Sequence, residues 1–161
     1  MGGLADGNGG LAAVPVSWDD AEEALGDAIE WLGALGDREG AFLAAGRRSA
    51  WPKVLRIEQS DYPDRPDPRI RLSRRQLVHV ERMLLNTDAL CLALPEQHRA
   101  LVGRVLVMKR FPSAGGFRWG EVRKALQRQA KDGERVPAAD ALRMRYKRAI
   151  GALAMAMGSG E

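Results

Sequence analysis

Four cationic side chains lie close together near the end of the sequence, in the segment LRMRYKRAIG at residues 142–151. They are Arg143, Arg145, Lys147 and Arg148. A guanidinium group presents its N–H donors in a planar fork that matches a phosphate, and an ammonium group adds a point charge. The run therefore favours binding to a polyanion, although a basic run is also typical of a solvated helix face.

The same segment has the apolar spacing of a helix. Leu142, Tyr146, Ile150 and Leu153 are separated by four, four and three residues, which places them on one helix face. The cations flank that face. The segment is therefore predicted to be a helix with a basic outer surface and a buried seam, in which Tyr146 is a core residue.

Charge is distributed unevenly along the chain. Residues 1–46 contain nine acidic residues and one basic residue, whereas residues 47–161 contain 12 acidic and 24 basic residues. Such asymmetry suggests a polyanionic partner for the basic part. The acidic part either repels that partner or meets another protein.

Composition and periodicity divide the chain into four parts. Residues 1–16 are glycine-rich and are predicted to be a flexible tail. Residues 17–60 are predicted to contain an acidic helix, capped by Ser17, and a helical segment around Trp51. Residues 61–72 carry three prolines and are predicted to be an extended linker. Residues 73–157 are predicted to form a helical domain.

Further apolar periodicity predicts the helices of this last part. Ser73 and Gln76 have the spacing of a capping box, opening a helix expected to run to about Leu94, with a break or kink near Asn86 as the alternative. Pro95 suits the first position of the next helix. Two more helices are predicted, in FRWGEVRKALQRQ and from about Ala138. No segment has the pattern of a strand, so the predicted fold class is all-α.

The last three predicted helices, at 95–157, have the layout of a helix-turn-helix DNA-binding domain, whose last helix lies in the major groove. Residues 97–161 contain 14 basic and five acidic residues. The connection QRQAKDGERVPA is longer than an ordinary helix-turn-helix turn. Either the preceding helix is extended by two turns, or the connection is an insertion that itself touches phosphates.

On this interpretation, the last helix supplies phosphate and base-edge contacts, and the preceding helix and connection hold phosphates. The residues expected to contact DNA are Arg143, Arg145, Lys147, Arg148, Arg118, Arg123, Lys124 and Arg128.

Two resemblances point the same way. ALPEQHRALVGRVLVMKR, FRWGEVRKAL and ADALRMRYKRAIGALA together resemble the helix-turn-helix of the fourth region of bacterial sigma factors. AFLAAGRRSAWPKVLR, the proline-rich linker, the capped helix, FRWGEV and YKRAIGALA resemble an uncharacterised family of small phage and prophage proteins over about residues 17–157. These resemblances imply an all-helical DNA-binding module without a wing. The phage and prophage family has no settled activity that could be carried over to this chain.

Residues for other chemistry are missing from the sequence. His79 and His98 have no second histidine or cysteine at metal-ligand spacing, and no phosphate-loop motif or activated nucleophile is present. We therefore expect no enzyme activity, no metal and no cofactor. The single cysteine, Cys91, is expected to be a small buried residue. With no apolar run of membrane-spanning length, the protein is expected to be cytoplasmic and not to bind a membrane.

Three functions remain open at this level. The first is a phage- or prophage-type transcriptional regulator that binds double-stranded DNA, with the acidic N-terminal helix and its Trp31 contacting RNA polymerase or a second copy of the chain. The second is a DNA-packaging recognition protein of the small-terminase kind. The third is a protein-interaction module without a DNA role.

Overall fold

The computed structural model describes residues 15–34 and 71–159, and these residues are helical without any strand. They form five α-helices: α1 at Trp18–Ala34, α2 at Arg74–Val80, α3 at Glu96–Arg110, α4 at Trp119–Gln129 and α5 at Ala139–Gly158. The all-α prediction is thereby confirmed. The predicted segment around Trp51 and most of the proline-rich linker lie outside the described residues.

Side-chain capping starts two of the helices, as predicted. Ser73 Oγ accepts a hydrogen bond from the Gln76 backbone N–H at 3.3 Å, and Gln76 Oε1 accepts one from the Ser73 N–H at 2.8 Å. Ser17 and Asp20 exchange the equivalent bonds at 3.0 and 3.2 Å. Each pair satisfies two backbone donors that a helix start leaves without partners. The hydrogen bonds from Ser17 also lower the pKa of Asp20.

The helix opened by Ser73 does not continue to Leu94, and the alternative of a break near Asn86 is confirmed. After α2 the chain makes a π-helical turn at Glu81–Leu85, and Asn86 adopts an extended backbone conformation. A 3₁₀ turn at Leu90–Ala93 then precedes α3. In one continuous α-helix Ala89 would lie about 140° around the axis from Leu84, yet both side chains are buried. The break lets both reach the core.

One apolar core joins α1 to the C-terminal helices. Helix α1 packs against α5, α3 and α2, and α5 also packs against α3 and α4. The predicted apolar face of α5 is confirmed, and Cys91 is buried as predicted. The buried residues of these two helices are Ala21, Leu25, Ala28, Ile29 and Leu32 on α1, and Leu142, Tyr146, Ala149, Ile150, Leu153 and Ala154 on α5.

Arg110, at the end of α3, holds the acidic helix through several bonds. Its Nη1 lies 2.9 Å from Asp27 Oδ1 and 3.2 Å from Glu30 Oε2. Its Nη2 donates to the Glu23 backbone carbonyl at 3.1 Å. The guanidinium crosses the helix at Gly26, where an added Cβ would lie 2.7 Å from Arg110 Nε. An alanine at this position would therefore require the Arg110 guanidinium to shift.

Replacing Gly26 with alanine tests this packing. A helical Gly→Ala change ordinarily stabilises by about 0.5–1 kcal/mol. Gly26→Ala should gain nothing or destabilise the protein, because Arg110 has to move away from its carboxylates. Gly151→Ala in α5 is the matched control, since nothing lies within 4 Å of its added Cβ, and it should show the ordinary gain. Equal stabilisation of both variants in urea unfolding would contradict the packing.

Candidate nucleic-acid interface

The four cations of α5 are all exposed, but they do not form one line. Successive residues of an α-helix are turned by about 100°, so the four side chains spread over an arc of about 200°. Arg143 and Lys147 lie on one flank, and Arg145 lies on the other. Arg148 lies between the flanks, above the exposed Met144. The basic outer surface expected from the sequence therefore consists of two basic flanks with Arg148 between them.

Helix α4 carries three of the other predicted contacts, and Arg118 is its N-cap residue. Lys124 and Arg128 share a side of the helix with Glu121, whereas Arg123 lies toward the opposite side. Lys124 Nζ lies 2.8 Å from Glu121 Oε1. That hydrogen bond is the main cause of a lowered pKa for Glu121, and Arg128 and Arg118 lower it further. Lys124 is thus already paired within the chain.

A ninth cation, which the sequence analysis missed, belongs to the same region. Arg104 lies on α3 and is half-buried. Burial lowers its pKa, and the nearby positive charge of Arg128 lowers it further. A cation of α3 therefore lies near the basic side of α4. In the sequence Arg104 lies within the apolar run of α3. Only its position outside the apolar stripe of that helix indicated that its side chain points away from the core.

The connection between α4 and α5 is a loop rather than an extension of α4. Helix α4 ends at Gln129, and residues 130–138 link it to α5. The Glu134 N–H donates to the Lys131 carbonyl at 2.9 Å, closing a turn in which Gly133 has φ +91°. Val136 packs against the core. Of the two alternatives for this connection, the structure shows the loop, which is longer than an ordinary helix-turn-helix turn.

A hydrogen-bonded cluster lies directly beneath the basic surface of α5. The Tyr146 hydroxyl donates to Glu22 Oε1 at 2.5 Å, and Lys109 Nζ forms an ion pair with the same oxygen. The Tyr146 ring makes edge contacts with the rings of Trp18 and Trp119, at centroid separations of 6.0 and 5.7 Å. Tyr146 is therefore a core residue, as predicted, and it joins three helices.

Further contacts fix α1 and α3 to this cluster. Trp18 Nε1 donates to the Lys147 backbone carbonyl at 3.1 Å. Lys109 Nζ lies 5.4 Å from the Tyr146 ring centroid and 5.7 Å from that of Phe117, within the range of cation–π attraction. Burial raises the pKa of Tyr146. Glu22 raises it further, because its carboxylate accepts a hydrogen bond from the protonated hydroxyl and its negative charge opposes ionisation. The hydroxyl therefore remains a neutral donor.

The acidic groups of α1 are largely used inside the chain. Asp27 and Glu30 pair with Arg110, and Glu22 pairs with Lys109. Trp31, expected to face a partner, packs its ring 5.3 Å from that of His79. The expected contact of α1 with RNA polymerase or a second copy of the chain would have to use its remaining exposed acids.

Two other structural features bear on function. In residues 15–34 and 71–159, no group of three or more histidine, cysteine or acidic side chains is arranged to hold a metal ion. No helix in the described parts of the chain is both long enough and apolar enough to cross a membrane.

Tyr146→Phe tests the contribution of the buried hydroxyl. The variant keeps the ring contacts but leaves Glu22 without one of its two donors. A hydrogen bond to a charged group contributes about 1.5–3 kcal/mol, so we expect a loss of about that size in urea unfolding. In a Glu22→Gln background the same change should cost clearly less, because the charged acceptor is gone. An equal loss in both backgrounds would show that the bond to Glu22 is not the cause.

No family model, no curated protein and no solved structure matches this chain significantly.

Proposed function

We propose that the protein binds double-stranded DNA through α5, with α4 and the 130–138 connection on the neighbouring phosphates, and acts as a phage- or prophage-type transcriptional regulator in the cytoplasm. The observation that carries this proposal is the arrangement of α5: cations on both flanks of a helix whose opposite face is buried. The resemblance to the fourth region of sigma factors supports the transcriptional role.

The two-flank arrangement suits a groove better than a flat anionic surface. The major groove of B-DNA is about 12 Å wide and admits an α-helix between two phosphate-lined walls. With α5 in the groove, Arg143 and Lys147 would approach one wall and Arg145 the other. Arg148 and Met144 would then face the base edges, where arginine pairs with guanine and an apolar side chain contacts a thymine methyl.

Helices α3 and α4 support α5 in this proposal, since all three pack against one another. Arg118, Arg123 and Arg128 are exposed on α4 and would hold phosphates without reading the sequence. Lys124 would first have to leave Glu121, so we expect it to contribute least of the four.

A salt series tests whether the exposed arginines of α5 contact phosphates. Each phosphate contact adds about 0.9 to the slope of log affinity against log salt concentration. Arg145→Gln/Arg148→Gln should therefore bind a mixed-sequence duplex more weakly in fluorescence anisotropy, and the lost phosphate contact of Arg145 should reduce the magnitude of the slope by about 0.9. Arg145→Lys/Arg148→Lys keeps both charges and should keep the slope.

If the wild type does not bind DNA at low salt, or if the Gln variant keeps the wild-type slope, a protein-interaction module is the better explanation.

The acidic start of α1 gives a second prediction. Trp18 bonds to the backbone of α5 at Lys147, and the exposed Asp19 follows it in the chain. A phosphate near the Arg143 and Lys147 flank would be repelled by this carboxylate. Asp19→Asn should therefore strengthen DNA binding by about twofold at low salt, as expected for one charge near 10 Å in water.

Glu96→Gln is the matched control for this change. Glu96 is exposed at the start of α3, about 20 Å along that helix from Lys109. Because this charge is more distant, its removal should strengthen binding less than Asp19→Asn does at low salt, and at about 0.1 M salt, where the screening length is about 10 Å, its effect should be negligible. If both variants strengthen binding equally, the effect comes from net charge and not from the position of Asp19.

A further inference from the structure

Helix α2 and the π-helical turn that continues it expose almost nothing but arginine. Of the 12 residues from Arg74 to Leu85, the four that are exposed are Arg74, Arg75, Val78 and Arg82. Arg74, Val78 and Arg82 are spaced by four residues, which places them along one side of the helix. Arg71, just before the helix, is exposed as well.

Within residues 15–34 and 71–159, no carboxylate forms an ion pair with Arg71, Arg74, Arg75 or Arg82. The acidic residue of the same segment, Glu81, is half-buried and already has an interaction partner. Three acids of α1, Glu22, Asp27 and Glu30, pair with α3 instead. Several uncompensated guanidinium groups on a single surface attract a polyanion.

This surface is held rigidly with respect to α5. The His79 ring on α2 contacts the Trp31 ring and lies 2.7 Å from the Ala24 carbonyl of α1 through its Nε2. Val80, Met83 and Leu84 are buried in the core that α5 shares. Helices α2 and α5 both pack on α1. One packed core therefore carries both basic surfaces.

We infer that the arginines of α2 form a second DNA-binding surface, which contacts the sugar–phosphate backbone of the duplex whose groove is occupied by α5. The inference rests on the proposed function for the identity of the ligand. Phosphate is the preferred partner because the planar guanidinium matches it bidentately. Because the inferred contacts are to phosphates and not to base edges, the contribution of this surface should be independent of sequence.

The experiment is a salt series with a mixed-sequence duplex of about three turns, or roughly 30 base pairs, followed by fluorescence anisotropy. Arg74→Gln/Arg75→Gln/Arg82→Gln removes three charges from exposed positions with little change in helix propensity. We expect its slope of log affinity against log salt to fall by about 2 to 3. The Lys version of the same triple variant keeps the charges and should keep the wild-type slope.

Running the α5 variant Arg145→Gln/Arg148→Gln in parallel separates the two proposals. A lower slope in both variants, with additive losses when they are combined, supports both surfaces. If only the α5 variant loses slope, the α2 inference is overturned and the proposed function stands. If only the α2 variant loses slope, the role of α5 is overturned. A wild-type slope in both variants, or an acidic protein bound in place of DNA, overturns both.

Discussion

The bond between the Tyr146 hydroxyl and Glu22 is the interaction on which the rest of the structure depends. It joins α5 to α1, and the same carboxylate oxygen holds Lys109 of α3. A carboxylate and an ammonium group are costly to desolvate unless each is paired and hydrogen-bonded. Here the tyrosine completes the pairing, and three aromatic rings lie within 6.0 Å of the ammonium group of a lysine whose side chain stays about one-third exposed. The acidic N-terminal helix is therefore part of the same core as the basic C-terminal helices.

This arrangement converts a charge asymmetry along the sequence into an asymmetry in space. The carboxylates of α1 are placed against the cations that end α3, so those charges are compensated inside the chain. The cations of α5, of α4 and of α2 face outward instead. The excess positive charge is thereby concentrated on exposed helix faces, where a polyanion is attracted most strongly.

Periodicity and capping patterns were sufficient to predict the helices. The apolar spacing of Leu142 to Leu153 predicted the buried face of α5, and Ser73 with Gln76 predicted the start of α2, because both signals are local. The sequence left open whether the helix opened by Ser73 continues to Leu94 or breaks near Asn86, because the choice depends on burying Leu84 and Ala89 in one core. The positions of the four cations around α5 follow from the helical repeat alone. The sequence did not reveal Arg104 near Arg128, because that proximity depends on the packing of α3 against α4.

An NMR titration of ¹⁵N-labelled protein with a mixed-sequence duplex tests the central claim most directly, because the arginine Nε–H signals report on each guanidinium group separately. The account predicts large changes for Arg145 and Arg148 of α5 and for the arginines of α4, with the backbone signals around Tyr146 and Glu22 little changed. Changes confined to α1, or none at all at low salt, would contradict it.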